Sequence, residues 1–125
     1  MAIPSTAVKA EQDPASVARL IVDVASDKQA TDILMLDIRE VASYADYLVI
    51  MSAGSVRQMA SLAGDLHQTV KKDKLPLHHW EGSADSGWLL LDCIDVVVHV
   101  FSEEQRAFYQ LEQVWSRAKM VVRVQ

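Results

Sequence analysis

A Gly-Ser turn between an apolar strand and a helix is the first candidate for chemistry in this sequence. Nucleotidyltransferase enzymes place paired acids after such a turn, where two carboxylates hold Mg²⁺. Here Gly54-Ser55 lies in the corresponding place, and the next acid is Asp65, within Asp65-Leu66-His67. Residues two apart on a helix are separated by about 200°, so this helix offers no paired carboxylates. The sequence therefore does not support metal-assisted nucleotidyl transfer.

Two other acids, Asp92 and Asp95, lie three residues apart at the turn of an expected hairpin. Aspartate is favoured in turns because its carboxylate bonds nearby backbone amides, so we interpret both as turn residues rather than catalytic acids. The chain has four glycines and neither a G-x-x-x-x-G-K nor a G-x-G-x-x-G motif. We therefore expect no phosphate-binding loop, no cofactor and no enzymatic activity.

The histidines do not indicate a metal site. His78 and His79 point to opposite faces of a strand, which makes them poor co-ligands. His99 and Cys93 could lie on one face of the hairpin, but two ligands alone are weak support for zinc. We favour a structural or interface role for His99, and no Ser-His-Asp or Cys-His-Asn motif is present.

The composition indicates one globular domain. The chain has 125 residues, half of them hydrophobic, and a net charge of −5, which is enough for one core. A single cysteine excludes an intramolecular disulfide and fits a reducing compartment, so we expect a cytoplasmic protein without a secretory signal. No apolar run is long enough to span a membrane. The acidic balance argues against broad nucleic-acid binding, and we expect little direct contact with nucleic acid.

Hydrophobic periodicity predicts an α/β domain with the order αββαβββα, in which about three helices pack on a mixed sheet of roughly five strands. Side-chain caps are predicted at Asp13, Ser55 and Ser102, where the two serines each have Gln three residues later. We expect a flexible tail over residues 1–12, the domain over 13–120 and a C-terminal tail over 121–125. The expected strands are 32–39, 46–51, an edge strand at 76–80, 88–93 and 96–101, and the helices begin near residues 14, 55 and 102.

The last two strands are too close for a crossover helix, so they should pair as an antiparallel hairpin. Alternation places Trp88, Leu90 and Asp92 on one face, and three helices need not cover both faces of the sheet. In the last helix we expect a buried stripe that includes Phe108, Leu111 and Trp115, with Tyr109 and Glu112 sharing a separate face.

This hairpin lies in the most acidic part of the chain. Residues 81–112 contain seven acids and one base, Arg106, a net charge of −6. An apolar face that carries tryptophan within an acidic rim is typical of a binding hot spot. We therefore predict a protein-docking surface, and for Trp88 the alternative is a core position at the start of the strand. The candidate residues of this surface are Trp88, Glu81, Asp92, Asp95, His99, Tyr109 and Glu112.

Over residues 14 to 118 the chain resembles the ribosomal silencing factor family, also called the Iojap or RsfS family. The most specific block is Asp95-Val-Val-Val-His99-Val-Phe101, followed by Phe108-Tyr109-x-Leu-Glu112-x-x-Trp115. Further matching pieces are Asp46-Tyr47, the Gly54/Ser55/Arg57 turn, Glu81-Gly82, Trp88 with Asp92, and Arg106.

The resemblance implies a nucleotidyltransferase-like fold without nucleotidyl transfer activity. It also implies binding to the large ribosomal subunit through ribosomal protein fourteen, which blocks joining with the small subunit and represses translation when nutrients are short. A large-subunit assembly factor that occupies the same site is the alternative, and a nucleotide-binding enzyme is a weaker one. An apolar docking face also makes a homodimer of the free protein plausible.

The sequence departs from the family pattern before Asp95. The family usually has glycine there, which would allow a positive φ in the turn, whereas this chain has Ile94. We therefore expect a turn of different construction. The turn before Arg57 and the residue Trp80 also differ from the common pattern.

Overall fold

Six strands form one mixed sheet in the computed structural model, which describes residues 13–125. The strand order is β3-β4-β5-β2-β1-β6, with β2 and β5 parallel and every other neighbouring pair antiparallel. The expected mixed α/β class is confirmed, with one strand more than predicted. The elements are α1 (Pro14–Asp27), β1 (Thr31–Asp37), β2 (Tyr47–Ala53), α2 (Val56–Lys72), β3 (His79–Ser83), β4 (Trp88–Asp92), β5 (Val96–Ser102), α3 (Glu103–Tyr109), α4 (Leu111–Val114) and β6 (Lys119–Val124).

The two long helices, α1 and α2, cover one face of the sheet. Their buried residues, such as Ile21 and Leu62, pack against inward-facing strand residues such as Val49 and Val98. Pro14 occupies the first turn of α1 as expected, but the side chain of Asp13 makes no capping hydrogen bond, so that prediction is wrong. Within residues 13–125 no helix combines the length and apolar character needed to cross a membrane.

The predicted cap of α2 is confirmed, because Ser55 Oγ accepts a hydrogen bond from the Gln58 amide at 3.0 Å. The Gln58 side chain accepts from the Gly54 amide at 2.6 Å and donates to the Gln29 carbonyl at 2.8 Å. These bonds hold the Gly54-Ser55 turn against the connection between α1 and β1. The polar groups of this turn therefore serve the fold.

The β4–β5 hairpin pairs Trp88 with Phe101 and Leu90 with His99, as the antiparallel prediction requires. Cys93 is buried in the core under α1 and α2, whereas His99 lies on the opposite face in register with Leu90. The two residues cannot share a metal ion, which corrects the possibility left open by the sequence. The strand β3 lies at the sheet edge as expected, three residues later than predicted.

The hairpin turn contains a residue in an unfavourable conformation. Ile94 has φ of +71°, and the Asp95 amide donates to the Cys93 carbonyl at 2.9 Å across it. The expectation of a differently built turn is wrong, because the backbone adopts the positive φ that glycine would allow. The chain is held there by its neighbours: Cys93 N donates to the Val96 carbonyl, and Asp92 Oδ1 accepts from the Ile94 amide at 2.9 Å.

The C-terminal helix is broken where a continuous helix was predicted. Gln110 has φ of +48° and ψ of +48°, which ends α3, and the short α4 begins at Leu111. The break lets Leu111 and Trp115 pack over the face that α1 and α2 leave open. Phe108, expected in the same buried stripe, remains 76% exposed. Tyr109 and Glu112 consequently do not share a helical face.

The residues after α4 form a strand rather than the predicted tail. Lys119–Val124 is β6, and it pairs antiparallel with β1 from Asp37↔Lys119 to Ile33↔Val124. Its valines pack against the core under α1 and α2, so burial drives this pairing. The tail predicted for residues 1–12 lies outside the described residues.

Candidate protein interface

Five aromatic side chains, here called the aromatic patch, gather on the sheet face away from α1 and α2. The Trp88 ring stacks with His99 (5.9 Å between centroids, 8° between planes) and with Phe101 (6.1 Å, 9°). The Tyr109 ring lies 5.8 Å from Trp88 and 5.9 Å from Phe101. Phe108 meets Tyr109 edge-to-face at 5.1 Å and 83°. The patch therefore runs from the hairpin onto the end of α3.

The positions of these rings follow from the strand register and from the start of α3. Trp88 is paired with Phe101 and so shares its face, and His99 lies two residues before Phe101 on β5. Ser102 Oγ accepts from the Gln105 amide at 3.1 Å and caps α3 as predicted, which brings Tyr109 back over the hairpin. Phe101 is buried, while Trp88 is 37% and Tyr109 49% exposed. The patch thus has a buried base at Phe101 and exposes ring surface at Trp88 and Tyr109.

A hydrogen bond fixes the orientation of the two rings at the centre of the patch. The indole Nε1 of Trp88 donates to His99 Nδ1 at 3.1 Å. The indole nitrogen is only a donor, so His99 accepts at Nδ1 and its neutral form carries the proton on Nε2. Burial lowers the pKa of His99 to about 4, because desolvation penalises the imidazolium. At neutral pH the patch is therefore uncharged at its centre.

The predicted acidic residues take different places around this patch. Glu81, on β3, is paired with Leu90 of β4, and its exposed carboxylate lies 3.0 Å from His79 Nε2. Asp92 lies on the same face, two residues beyond Leu90, and uses one oxygen to bond the Ile94 amide. Asp95 is exposed in the turn after β4, away from the rings. Of the predicted acids, Glu81 and Asp92 are therefore the two on the face that carries the patch.

Glu112 is held in an internal ion pair. Both of its carboxylate oxygens accept from Arg106 Nε, at 3.2 and 3.1 Å. Arg106 is buried and also donates to Ser52 Oγ at 2.8 Å, and its Nη2 lies 3.6 Å from Asp32. This arginine therefore ties α3 and α4 to the ends of β1 and β2, and its pairing with Glu112 is structural.

Sequence reasoning did not anticipate the internal contacts of Arg106 or the exposure of Phe108. Arg106 is the one base in an acidic segment, which was a usable signal for a paired residue. Phe108 gave no such signal, because helical periodicity across the unbroken segment placed it in the buried stripe. Its exposure depends on the break at Gln110, which has no glycine to mark it.

The turn that could have supported nucleotide chemistry does not form a metal site. The next acid, Asp65, lies 3.8 Å from Lys28 Nζ in an exposed ion pair between α1 and α2. In residues 13–125 no three His, Cys, Asp or Glu side chains come together as potential metal ligands.

These features define a class: a mixed α/β domain whose most distinctive surface is an aromatic patch flanked by acids. The chain belongs to the ribosomal silencing factor family, because the family model described as "Ribosomal silencing factor during starvation" matches residues 11–125. It is 32% identical over 105 residues to the ribosomal silencing factor RsfS of Bacillus subtilis, covering 84% of this chain and 89% of that protein. The RsfS of Zymomonas mobilis is 36% identical over 103 residues, covering 82% of this chain and 77% of that protein.

Solved structures agree with this assignment. A crystal structure of a Chromobacterium violaceum protein superposes with a TM-score of 0.78 at 27% identity, covering 83% of this chain and 87% of that one. A Bacillus halodurans structure gives a TM-score of 0.74 at 29% identity, covering 85% and 96%. The mixed α/β fold of this chain is therefore also the fold of these two solved structures.

Proposed function

We propose that this protein represses translation by binding the large ribosomal subunit through ribosomal protein fourteen and blocking its joining with the small subunit. The repression acts in the bacterial cytoplasm when nutrients are limiting. Membership of the ribosomal silencing factor family supports this proposal. The chain needs no catalysis for such a role, since occupation of the joining face is sufficient.

The observation that carries the proposal is the aromatic patch. Trp88 and Tyr109 expose ring surface around a buried base of Phe101. Large, rigid aromatic side chains at the centre of a patch are the usual binding hot spots. Because Trp88 is already stacked and hydrogen-bonded, docking would order little further conformational freedom there.

The acids around the patch favour a basic partner. Glu81 and Asp92 lie on the face of the patch, where their charge would steer association. Asp95, in the turn, would add to the long-range field. Glu112 would contribute through its effect on Arg106 and the position of α3, and not as a free charge. His99 would act by orienting Trp88.

Co-sedimentation with purified large subunits, followed by a subunit-joining assay, tests the proposal. We expect the wild type to bind and to inhibit joining, and Trp88→Ala to weaken binding by roughly 2 kcal/mol or more. Val56→Ala, which alters another half-exposed apolar residue in the first turn of α2, is the matched control and should bind normally. A folded wild type that fails to sediment with large subunits would refute the proposal.

A role in large-subunit assembly is the second candidate. A mouse relative, 29% identical over 100 residues, is named mitochondrial assembly of ribosomal large subunit protein 1, although the match covers only 44% of that protein. A placeholder would use the same surface on unfinished subunits. Accumulation of precursor subunits in cells lacking the protein, with unaltered joining of mature subunits, would favour assembly over silencing.

The free protein is also proposed to form a homodimer through the patch. When the partner is absent, an apolar docking surface can bind the same surface on a second copy of the protein. Light scattering after size exclusion measures the mass directly, and Trp88→Ala should shift a dimer towards monomer.

A further inference from the structure

Phe108 is the most exposed of the exposed large hydrophobic side chains in residues 13–125, at 76%. Among the described residues, its ring makes one contact with another aromatic ring, the edge-to-face contact with Tyr109. A phenylalanine side chain buries substantial apolar area when it is covered. Exposure of the Phe108 ring to water is therefore unfavourable in free energy for the free protein. Burial of the ring in a complex would be favourable.

The backbone fixes this exposure. The α3 helix ends at Tyr109, and the left-handed conformation of Gln110 turns the chain before Leu111. Leu111 and Trp115 pack on the sheet instead, leaving Phe108 on the outer side of α3. Because Phe108 and Tyr109 belong to a helix capped by Ser102, the ring is presented from a defined element and not from a loop.

The charge around Phe108 indicates the chemistry of what covers it. Glu104 is exposed and precedes Phe108 by four residues, so the two side chains share a helical face. Glu103 adds a second exposed carboxylate in the first turn. The ring is also continuous, through Tyr109, with Trp88 and the remainder of the aromatic patch.

We propose that Phe108 is an anchor of the docking surface, and that its ring enters an apolar pocket bordered by basic side chains on a partner protein. The inference rests on the proposed function and deepens it, because it extends the interface from the hairpin onto α3 and specifies a pocket. Trp88 and Phe108 then form two anchors joined by Tyr109.

The test is the dissociation constant for purified large subunits, measured with fluorescently labelled full-length protein. We expect Phe108→Ala to raise it at least about tenfold and Phe108→Leu to raise it less. Val114→Ala, the matched control at a residue 70% exposed on α4, should stay within about twofold of wild type. Thermal melting should be nearly unchanged for all three variants, because both side chains are largely exposed.

The outcomes separate this inference from the proposed function. If the wild type binds and Phe108→Ala binds equally well, the inference is overturned and the proposed function stands. If Val114→Ala weakens binding as much as Phe108→Ala, the specific pocket is likewise overturned. If the folded wild type does not bind large subunits at all, both are overturned.

Discussion

His99 connects the exposed patch to the core hairpin. Its ring lies beside both Trp88 and Phe101 at centroid distances of 5.9 and 5.8 Å, and it accepts the indole hydrogen bond. Only the neutral ring has a free acceptor at Nδ1. Protonation would place a second donor against the Trp88 N–H, so the patch is built around an uncharged histidine.

This arrangement predicts a pH dependence of stability. The folded-state pKa of His99, about 4, lies below the ordinary value of about 6.5. Between these values the unfolded chain binds the proton and the folded chain does not, so the free energy of unfolding falls as pH decreases. The contribution is on the order of 3 kcal/mol between pH 7 and pH 4. Urea unfolding over this range should show a shallower pH slope for His99→Phe, and equal slopes would contradict the assignment.

Ile94 is the residue whose backbone conformation fits its side chain least well. A β-branched residue at φ of +71° is strained by roughly 1–3 kcal/mol, and the side chain is half exposed, so little packing depends on it. We expect Ile94→Gly to raise the free energy of unfolding by about 1 kcal/mol, after the greater backbone entropy of glycine is included. Ile94→Val keeps the β-branch and should change it little. The measurement is the denaturant midpoint of each variant compared with that of the wild type. A lower midpoint for Ile94→Gly would show that the turn is not strained.

Elements with strong local signals were predictable from the sequence. The capped helix after Gly54, the edge strand and the β4–β5 hairpin were all identified, because caps, proline and alternation act over a few residues. The C-terminal segment was not, since its structure depends on distant partners. Arg106, whose carbonyl accepts from the Gln110 amide at the break, contacts Ser52 and Asp32, which lie far away in the chain.

The same reason explains which positions of the candidate-site residues could be predicted. Alternation correctly placed Trp88 with Leu90 on the open face, which made its exposure a testable expectation. It could not show that Glu112 would form an ion pair with Arg106, or that Phe108 would be exposed to solvent.

The strand β6 allows a test at the scale of an element. Val122 pairs with Met35 and packs against the main core, whereas Met120 is half exposed. We expect Val122→Lys to lower the free energy of unfolding by about 1–2 kcal/mol, because a charge replaces a partly buried apolar side chain. Met120→Lys introduces the same charge on the same strand and should cost less than about 0.5 kcal/mol. Equal melting temperatures for the two variants would mean that burial of Val122 in β6 does not stabilise the fold.

At the scale of the whole molecule, charge is divided unevenly. The chain carries −5, and residues 81–112 carry −6, so the remaining residues sum to +1. The excess negative charge therefore belongs to the segment that contains β4, β5 and α3. Lys71 and Lys72 lie in the last turn of α2. Such an asymmetry orients a protein as it approaches a basic surface.

Association kinetics measure this asymmetry. Glu81→Lys alters an exposed acid on the face of the patch, and Asp27→Lys makes the same change of charge at the exposed end of α1. If the local field of residues 81–112 steers docking, Glu81→Lys should slow association with large subunits several-fold at low salt, and the deficit should shrink as salt screens the charges. Asp27→Lys should slow it much less, and dissociation should change little for either. Stopped-flow measurements at two ionic strengths provide these rates. If the association rate falls equally for both variants, the net charge of the protein, and not the local field of residues 81–112, governs association.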